Sequence, residues 1–252
     1  MDADCRPDPG HVTATLTSLG GFFSWGASPG DDLVPLRVAL AAPALPQRFA
    51  AMREGLATSA GLDIEAVDER IAVSAVQVGL VSRMWSFALA SATLHGWVPD
   101  LSTEVLACGQ GHRNPVPFAT ATAGGQAVDG RAVGGVVDAT EAIADLVLGT
   151  SIGDITAACA DLGRTSRQVL VSNTASALVG AGRMLSTHRP EVAALTDATV
   201  RALLEDPRCK PGGGVVDGAF TRHGCCLYYR LPGHGLCPDC VLVRPGHPAD
   251  DH

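Results

Sequence analysis

Four cysteines lie close together near the end of the chain. Cys225, Cys226, Cys237 and Cys240 follow the pattern Cys-Cys-x10-Cys-x2-Cys, whereas the remaining cysteines are scattered. Four thiolates satisfy a soft, thiophilic metal centre, and an all-cysteine set of four is usual for an iron–sulfur cluster or a structural zinc ion. The pattern therefore predicts a metal centre, and the kind of centre decides what the protein does.

The spacing of these cysteines helps to distinguish the two kinds of centre. Cys237 and Cys240 form a knuckle of the type that binds zinc, but the adjacent side chains of Cys225 and Cys226 diverge and converge poorly on one small ion. A [2Fe–2S] cluster has two irons with two thiolates each, so its ligands need not meet at one atom. A thioredoxin-like site is disfavoured because glycine and proline, which indicate a loop, precede Cys237. The spacing favours a cluster, with zinc or unliganded thiols as alternatives.

The composition limits the classes of partner and the compartment. The chain has 252 residues, with 18 basic and 26 acidic side chains and a formal net charge of −8. This balance disfavours nucleic acid or an anionic membrane surface as a partner, because both need a net basic face. No secretory signal is evident, and Gln77 and Arg83 interrupt the longest apolar region, so we expect no integral membrane segment. We therefore expect a cytoplasmic protein with reduced thiols.

The cysteine segment resembles the signature of the FhuF-like ferric siderophore reductases. The resemblance rests on residues 221–230 followed by 237–240, and segments 82–99 and 172–178 are similar to the same family. It implies a [2Fe–2S] cluster held by the four cysteines of the segment. It also implies that the protein reduces cytoplasmic ferric siderophores by one electron and thereby releases Fe(II).

Siderophore reduction needs little machinery beyond such a cluster. Hydroxamate and catecholate oxygens hold Fe(III) tightly but hold the larger, less charged Fe(II) far less well, so one electron makes the complex labile. No other convincing catalytic motif and no nicotinamide or flavin motif stands out in the sequence. We therefore expect an external electron donor such as a ferredoxin, a flavodoxin or their reductase. The net negative charge favours cationic ferric hydroxamates of the ferrioxamine type over anionic catecholates.

Two functions of other classes also agree with the cysteine pattern. In the first, the four cysteines bind zinc and only stabilise a binding protein. In the second, the protein is a [2Fe–2S] electron carrier or sensor that acts on another protein. The spectrum of the bound metal would separate the first from the reductase, and direct electron transfer to a ferric siderophore would separate the second.

Charged residues beside the cysteines are candidates for tuning a cluster. Arg222, Arg230 and Arg244 could offset the negative charge of the thiolates. His223 and His234 could couple ring protonation to reduction, because imidazole titrates near neutral pH. Ordinary salt bridges and surface positions would account for the same residues, so both interpretations stay open.

Other chemically capable residues are better assigned to packing. Arg83 lies in an apolar helix, so it must find an internal partner or reach solvent. Asn173 lies inside another helix and is interpreted as a packing residue. For both residues, a role in a siderophore pocket is the alternative. A free cysteine commonly behaves as a small buried hydrophobic residue. We interpret as structural the scattered cysteines Cys5, Cys108, Cys159 and Cys209.

The apolar periodicity predicts an α+β fold with a predominantly helical body, a small strand component and a C-terminal [2Fe–2S]-binding module. We expect a siderophore-docking body at residues 1–206 and the cluster module at residues 207–252. Strands are expected around Val12 to Leu16 and Phe22 to Trp25, and again between Gly96 and Gly135. Helices are expected at residues 45–60, at 64–95 with a break or bend near Gly79 or further on, and at 138–148, 166–185 and 190–204.

Overall fold

The fold is mainly helical and includes three small β-sheets, which confirms the predicted α+β class. The computed structural model describes residues 7–26, 32–110, 116–120, 125–127 and 133–243. Within these ranges the helices are α1 (Pro9–Ser18), α2 (Leu36–Ala39), α3 (Ala44–Ala60), α4 (Glu69–His95), α5 (Val133–Ile143), α6 (Gly153–Gly163), α7 (Arg167–His188) and α8 (Ala193–Leu204). The strands are β1 (Leu33–Pro35), β2 (Trp97–Pro99), β3 (Leu106–Gly109), β4 (Phe118–Thr120), β5 (Gly125–Ala127), β6 (Gly213–Val216) and β7 (Ala219–Arg222).

Helix α4 forms the centre of the core. The carboxylate of Asp68 caps its first turn by accepting the Arg70 backbone N–H at 3.0 Å, and Gly96 ends it in the left-handed conformation with φ +62°. Most of its side chains are buried, and its most extensive packing is against α7. The predicted break near Gly79 is wrong, because packing against α3, α6 and α7 stabilises an unbroken helix despite the low helix propensity of glycine.

The N-terminal segment is helical where the sequence pattern predicted strands. The Asp8 carboxylate accepts the backbone N–H of His11 at 2.8 Å and so caps α1. Val12 and Leu16 are buried four residues apart on one face of this helix, a spacing that fits a helix as well as an alternating strand. Residues 21–23 form a single 3-10 turn, so the second predicted strand is also wrong.

Several predicted helices are confirmed with adjusted boundaries. Helix α3 ends at Gly61, which adopts φ +64° as a glycine C-cap does. The helix predicted at residues 138–148 belongs to a longer element, in which α5 continues through the π-helical segment Ala144–Ile152 into α6. A 3-10 turn at Pro190–Val192 precedes α8.

The strands form antiparallel pairs. One sheet has the order β1-β3-β4, a second pairs β2 with β5, and a third is the hairpin of β6 and β7. The strands predicted between Gly96 and Gly135 are confirmed as β2 to β5 within the described residues. The third sheet positions the cysteine segment.

Among the residues that the structure describes, two segments are long and apolar enough to span a membrane by length and composition alone. They are Glu69–His95, whose most apolar window is 83% buried inside the protein, and Asp138–Gly163, whose window is 50% buried. The burial of the first is what a core helix shows, so α4 is a weak candidate for a membrane span.

The C-terminal segment packs on the helical body. Cys209 and Phe220 are buried in the same hydrophobic core as α4 and α7. Leu231 lies in a second apolar cluster with side chains from α3 and α4. The division into a body at residues 1–206 and a module at residues 207–252 stays a prediction.

Candidate metal centre

The β6–β7 hairpin brings the chain to the cysteines. Its two turn residues, Asp217 and Gly218, have φ +50° and +79°, which match the right-handed twist of the flanking strands. Phe220 is buried in the core and fixes the hairpin to the body. Strand β7 ends at Arg222, so Cys225 follows it after two residues.

The first two cysteines are held against α7 by a close backbone approach. A Cβ atom on Gly224 would lie 2.8 Å from the Ser172 Oγ and 2.9 Å from the backbone oxygen of Gln168, so only glycine fits there without displacing neighbours. The backbone N–H of His223 also donates to the Gly212 oxygen at 2.9 Å. The position of Cys225 and Cys226 therefore depends on the surface of α7.

The structure brings the four predicted cysteines together. The Cys237 thiol hydrogen-bonds to the Cys226 sulfur, which joins the two halves of the segment. The pKa of Cys225 is raised by burial and then by negative charge on Cys226 and Cys240, and the pKa of Cys237 is raised by the same two neighbours, so each of the four sulfurs lies within electrostatic reach of at least two others. Cys240 is buried, and the other three are partly exposed.

Backbone N–H groups are directed at the cysteine sulfurs. Leu227 donates to the Cys225 Sγ at 3.4 Å, and Leu242 donates to the Cys240 Sγ at 3.4 Å. The Cys240 N–H bonds to the oxygen of Cys237 at 3.0 Å and closes the turn between these two cysteines. Hydrogen bonds to sulfur stabilise thiolates and tune the potential of an iron–sulfur centre.

The hydrogen bond between Cys226 and Cys237 shifts the pKa values of the two thiols in opposite directions. The pKa of Cys226 is lowered to about 6, chiefly because the Cys237 thiol donates to it, and the backbone N–H of Tyr228 and the Arg222 cation act in the same direction. The pKa of Cys237 is raised by the same hydrogen bond. A thiolate at Cys226 is therefore available near neutral pH as a metal ligand.

The donor set suits an iron–sulfur cluster in its chemistry. It consists of four thiols, with backbone amides directed at Cys225, Cys226 and Cys240. Among the residues that the structure describes, no group of three or more His, Cys, Asp or Glu side chains is placed around a position for a single metal ion. The fit to a cluster therefore rests on the identity of the donors and on their amide partners.

Arg222 is the predicted tuning residue that is buried beside these sulfurs. Its side chain is 4% exposed and donates through one terminal nitrogen to the Oδ1 of Asn173. The Asn173 Nδ2 in turn donates to the Ser74 Oγ of α4 at 2.9 Å. Among the described residues the Arg222 Nε has no acceptor, so this cation is buried with a neutral amide as its partner. Asn173 is thus a packing residue that anchors the arginine.

Three other predicted tuning residues, Arg230, His223 and His234, lie at the surface. Arg230 is exposed and forms an ion pair with Asp68 at 3.2 Å. His223 is exposed, with its Nδ1 3.2 Å from the Pro211 oxygen, and the exposed His234 ring meets Tyr228 edge-on at 5.8 Å. Arg244 lies outside the described residues. A tuning role for any of these residues stays a prediction.

The scattered cysteines do not join the site. Burial raises the pKa of Cys108 to about 11 and the pKa of Cys159 and Cys209 to about 12, so these thiols stay protonated in the core. Cys5 lies outside the described residues. Their interpretation as buried structural side chains agrees with the positions of the three that are described.

Two cavities border the cysteine segment, and sequence reasoning missed both. The first, of about 440 Å³, lies between α4, α7 and the loop at residues 19–23, and Arg222 lines it; we call it the α4–α7 cavity. The second, of about 390 Å³, lies between α3 and α4, and Tyr228 lines it; we call it the α3–α4 cavity. Phe22 and Val78 line both, so the cavities are neighbours.

Arg83 holds the loop that lines these cavities. Its guanidinium donates to the backbone oxygen of Gly21 at 2.9 Å and to that of Ser24, and it lies 5.8 Å from the centre of the Trp25 ring. Burial lowers the pKa of Arg83 to about 10. The internal pairing expected for this residue is confirmed, and it fixes one wall of both cavities.

A comparison with known families identifies the cysteine segment. Residues 222–242 match the FhuF 2Fe-2S C-terminal domain, and this match includes all four clustered cysteines. No curated protein matches the chain. The cofactor is therefore a [2Fe–2S] cluster, and the zinc alternative is not supported. The cysteine segment therefore belongs to the FhuF 2Fe-2S C-terminal domain family, in agreement with the resemblance that its sequence shows.

Proposed function

We propose that this protein is a cytoplasmic ferric-siderophore reductase that releases Fe(II) by one-electron reduction. The observation that supports this most directly is the match of residues 222–242 to a [2Fe–2S] domain of the FhuF family. A second observation is the pair of cavities of small-molecule size that border the same segment. Ferric hydroxamates of the ferrioxamine type are the favoured substrate class.

The proposed ligands are Cys225, Cys226, Cys237 and Cys240. When bound, a [2Fe–2S] cluster supplies one-electron redox chemistry at potentials suited to reducing Fe(III). The amides of Leu227 and Leu242 are already directed at two of these sulfurs and would stabilise their negative charge.

Side chains around the cysteines would control the environment of the cluster. Arg222 contributes a buried positive charge, which favours added negative charge nearby. The pKa of Tyr228 is raised to about 12 by burial and by the charge of Cys226, so its phenol stays neutral near this cysteine. We expect both residues to shift the reduction potential.

An external electron donor has an accessible surface beside the cysteines. Large apolar side chains are exposed immediately around them, namely Tyr229, Leu236, Val241 and Leu242. Clustered exposed apolar side chains are typical of protein interaction sites. This surface supports docking of a protein donor such as a ferredoxin, a flavodoxin or their reductase, and it also favours a [2Fe–2S] electron carrier as the second candidate function.

The test of the function begins with protein purified without oxygen. Iron and sulfide in the stoichiometry of one [2Fe–2S] cluster per chain, and an EPR signal that develops on reduction, would establish the loaded protein. The reduced protein is then mixed with a ferric hydroxamate and a strong Fe(II) chelator. Stoichiometric oxidation of the protein with formation of the Fe(II) chelate supports the reductase. Oxidation by a partner protein without reaction with any ferric siderophore would establish the electron carrier instead.

Substitution of single cysteines tests the proposed ligand set. We expect Cys226→Ala and Cys237→Ala to lower the iron and sulfide content by more than about tenfold. Loss of a group that only supports a metal ligand already weakens metal binding by about 10–100-fold, and loss of the ligand itself should cost more. Cys209→Ala is the matched control, because it removes a buried thiol of the same core that is not a proposed ligand. Full cluster content in either ligand variant, or its loss in the control, would contradict the assignment.

A further inference from the structure

The α4–α7 cavity has the shape and lining of a small-molecule site. Its volume of about 440 Å³ lies within the range of about 300–1,000 Å³ that is typical of ligand pockets. Ser82 and Ser86 of α4 and Ser176 and Gly180 of α7 line it at helical spacing. Small and hydroxyl-bearing side chains on two adjacent helices therefore leave a groove between them.

One end of this cavity lies at the cysteine segment. Ser172 contacts Gly224, and Ser176, about one helical turn further along α7, already lines the cavity. Met184 and His188 line the far end, so the cavity follows α7 for about 18 Å at the helical rise. A molecule bound at the near end would lie against the part of α7 that holds the first two cysteines.

The charge of the lining is positive or neutral. Among the described residues that line the cavity, Arg222 and His188 are ionisable, and none is Asp or Glu. The hydroxyl groups of Ser82, Ser86 and Ser176 and the guanidinium of Arg222 supply hydrogen-bond donors to this lining. Such donors suit a ligand that presents oxygen acceptors.

The negative net charge of the protein therefore does not predict the charge of this cavity. Three hydroxamates neutralise Fe(III), so a ferric trihydroxamate has an uncharged core with oxygen acceptors and an apolar chain. A cationic group attached to it finds no carboxylate in the lining, and a highly anionic complex would lose its hydration against one arginine. The lining best suits an uncharged complex.

We propose that the α4–α7 cavity is the docking site of the ferric siderophore and that it binds the complex through its uncharged trihydroxamate core. This inference rests on the proposed reductase function. The wall at residues 19–23 is fixed in place by Arg83, so the site is formed before the ligand binds. Arg222 then acts twice, as a cation beside the cysteines and as part of the docking site.

Two matched glycine substitutions test the location. Gly180 of α7 lines the α4–α7 cavity and Gly55 of α3 lines the α3–α4 cavity; both are exposed, and a Cβ on either would meet no atom within 4 Å. Gly180→Phe places a ring at the proposed site, whereas Gly55→Phe places one at the neighbouring cavity. We expect Gly180→Phe to weaken binding by about tenfold or more, because the filled groove must be reopened, and Gly55→Phe to bind normally.

The readout is the dissociation constant of a ferric trihydroxamate, measured by titration calorimetry on the oxidised, cluster-loaded protein, with Fe(II) release measured in parallel. Normal binding by Gly180→Phe, or loss of binding in Gly55→Phe alone, would overturn the proposed location of the docking site. If the unmodified protein still reduced the ferric complex, the proposed function would remain. Failure of the unmodified protein to bind or reduce any ferric complex would overturn both.

The charge of the ligand is tested with one trihydroxamate whose terminal amine is free or acetylated. We expect equal affinity for the two forms at low ionic strength, because the lining offers the ammonium no carboxylate. Markedly tighter binding of the ammonium form, lost at high salt, would overturn recognition through the uncharged core and restore the preference that the net charge of the chain suggests.

Discussion

Gly224→Ala is expected to abolish stable cluster binding even though it changes no cysteine. The added methyl group would lie 2.9 Å from the backbone oxygen of Gln168, which cannot rotate away, and 2.8 Å from the Ser172 Oγ. Overpacking of this kind costs about 1–3 kcal/mol and is relieved by moving the chain. Because Cys225 follows directly, the movement displaces the first pair of proposed ligands from the second. Iron and sulfide content per chain, with the melting temperature, measures the effect.

Gly235→Ala is the matched control for this substitution. Gly235 lies in the same segment, and a Cβ there would meet no atom within 4 Å. We expect this variant to retain the cluster and its EPR signal. If Gly224→Ala also retained the full cluster, the contact between the cysteine segment and α7 would not be what positions the ligands.

The sequence predicted those features that depend on local chemistry. The four clustered cysteines identified the metal centre because side-chain packing alone does not require four thiols at this spacing, whereas a thiolate-bound metal does. Gly61 predicted the end of α3 because glycine adopts the left-handed conformation at little cost. The helix-dominated α+β class followed from apolar periodicity over long segments, where the signal is strongest.

Features that depend on distant contacts could not be predicted. The strand predicted around Val12 and Leu16 is an error of another kind, because the capping bond from Asp8 to His11 is local and Asp8-Pro9 is a helix-start signal in the sequence. Gly79 predicted a break in α4 that burial against neighbouring helices prevents. The α4–α7 cavity is formed by a loop near residue 20 and two helices far along the chain, so no local pattern shows it.

The link between α7 and the cysteine segment was also beyond sequence reasoning. Asn173 and Arg222 are 49 residues apart, and each alone has an ordinary interpretation as a packing or surface residue. Only their contact shows that a buried cation beside the cysteines depends on one amide from the core. This dependence leads to the second large effect.

Asn173→Leu is expected to destabilise the protein by about 3 kcal/mol, because it leaves the buried guanidinium of Arg222 without its hydrogen-bond acceptor. Arg222→Met is expected to cost less, about 1–3 kcal/mol, since it leaves only a neutral amide oxygen unsatisfied. The double variant removes both partners, so we expect it to be more stable than Asn173→Leu alone. Urea unfolding of the four proteins, followed by circular dichroism, gives the coupling energy of the pair.

The reduction potential separates the electrostatic role of Arg222 from its role in packing. The double variant keeps the packing but lacks the cation, so its cluster should be reduced at a lower potential than that of the unmodified protein, because added negative charge is no longer stabilised. Ser176→Ala, on the same helix and without the contact to Arg222, should keep both stability and potential. Strictly additive losses of stability would show that the two side chains act independently. An unchanged reduction potential in the double variant would show that Arg222 has only a structural role, which is to hold the hairpin on α7.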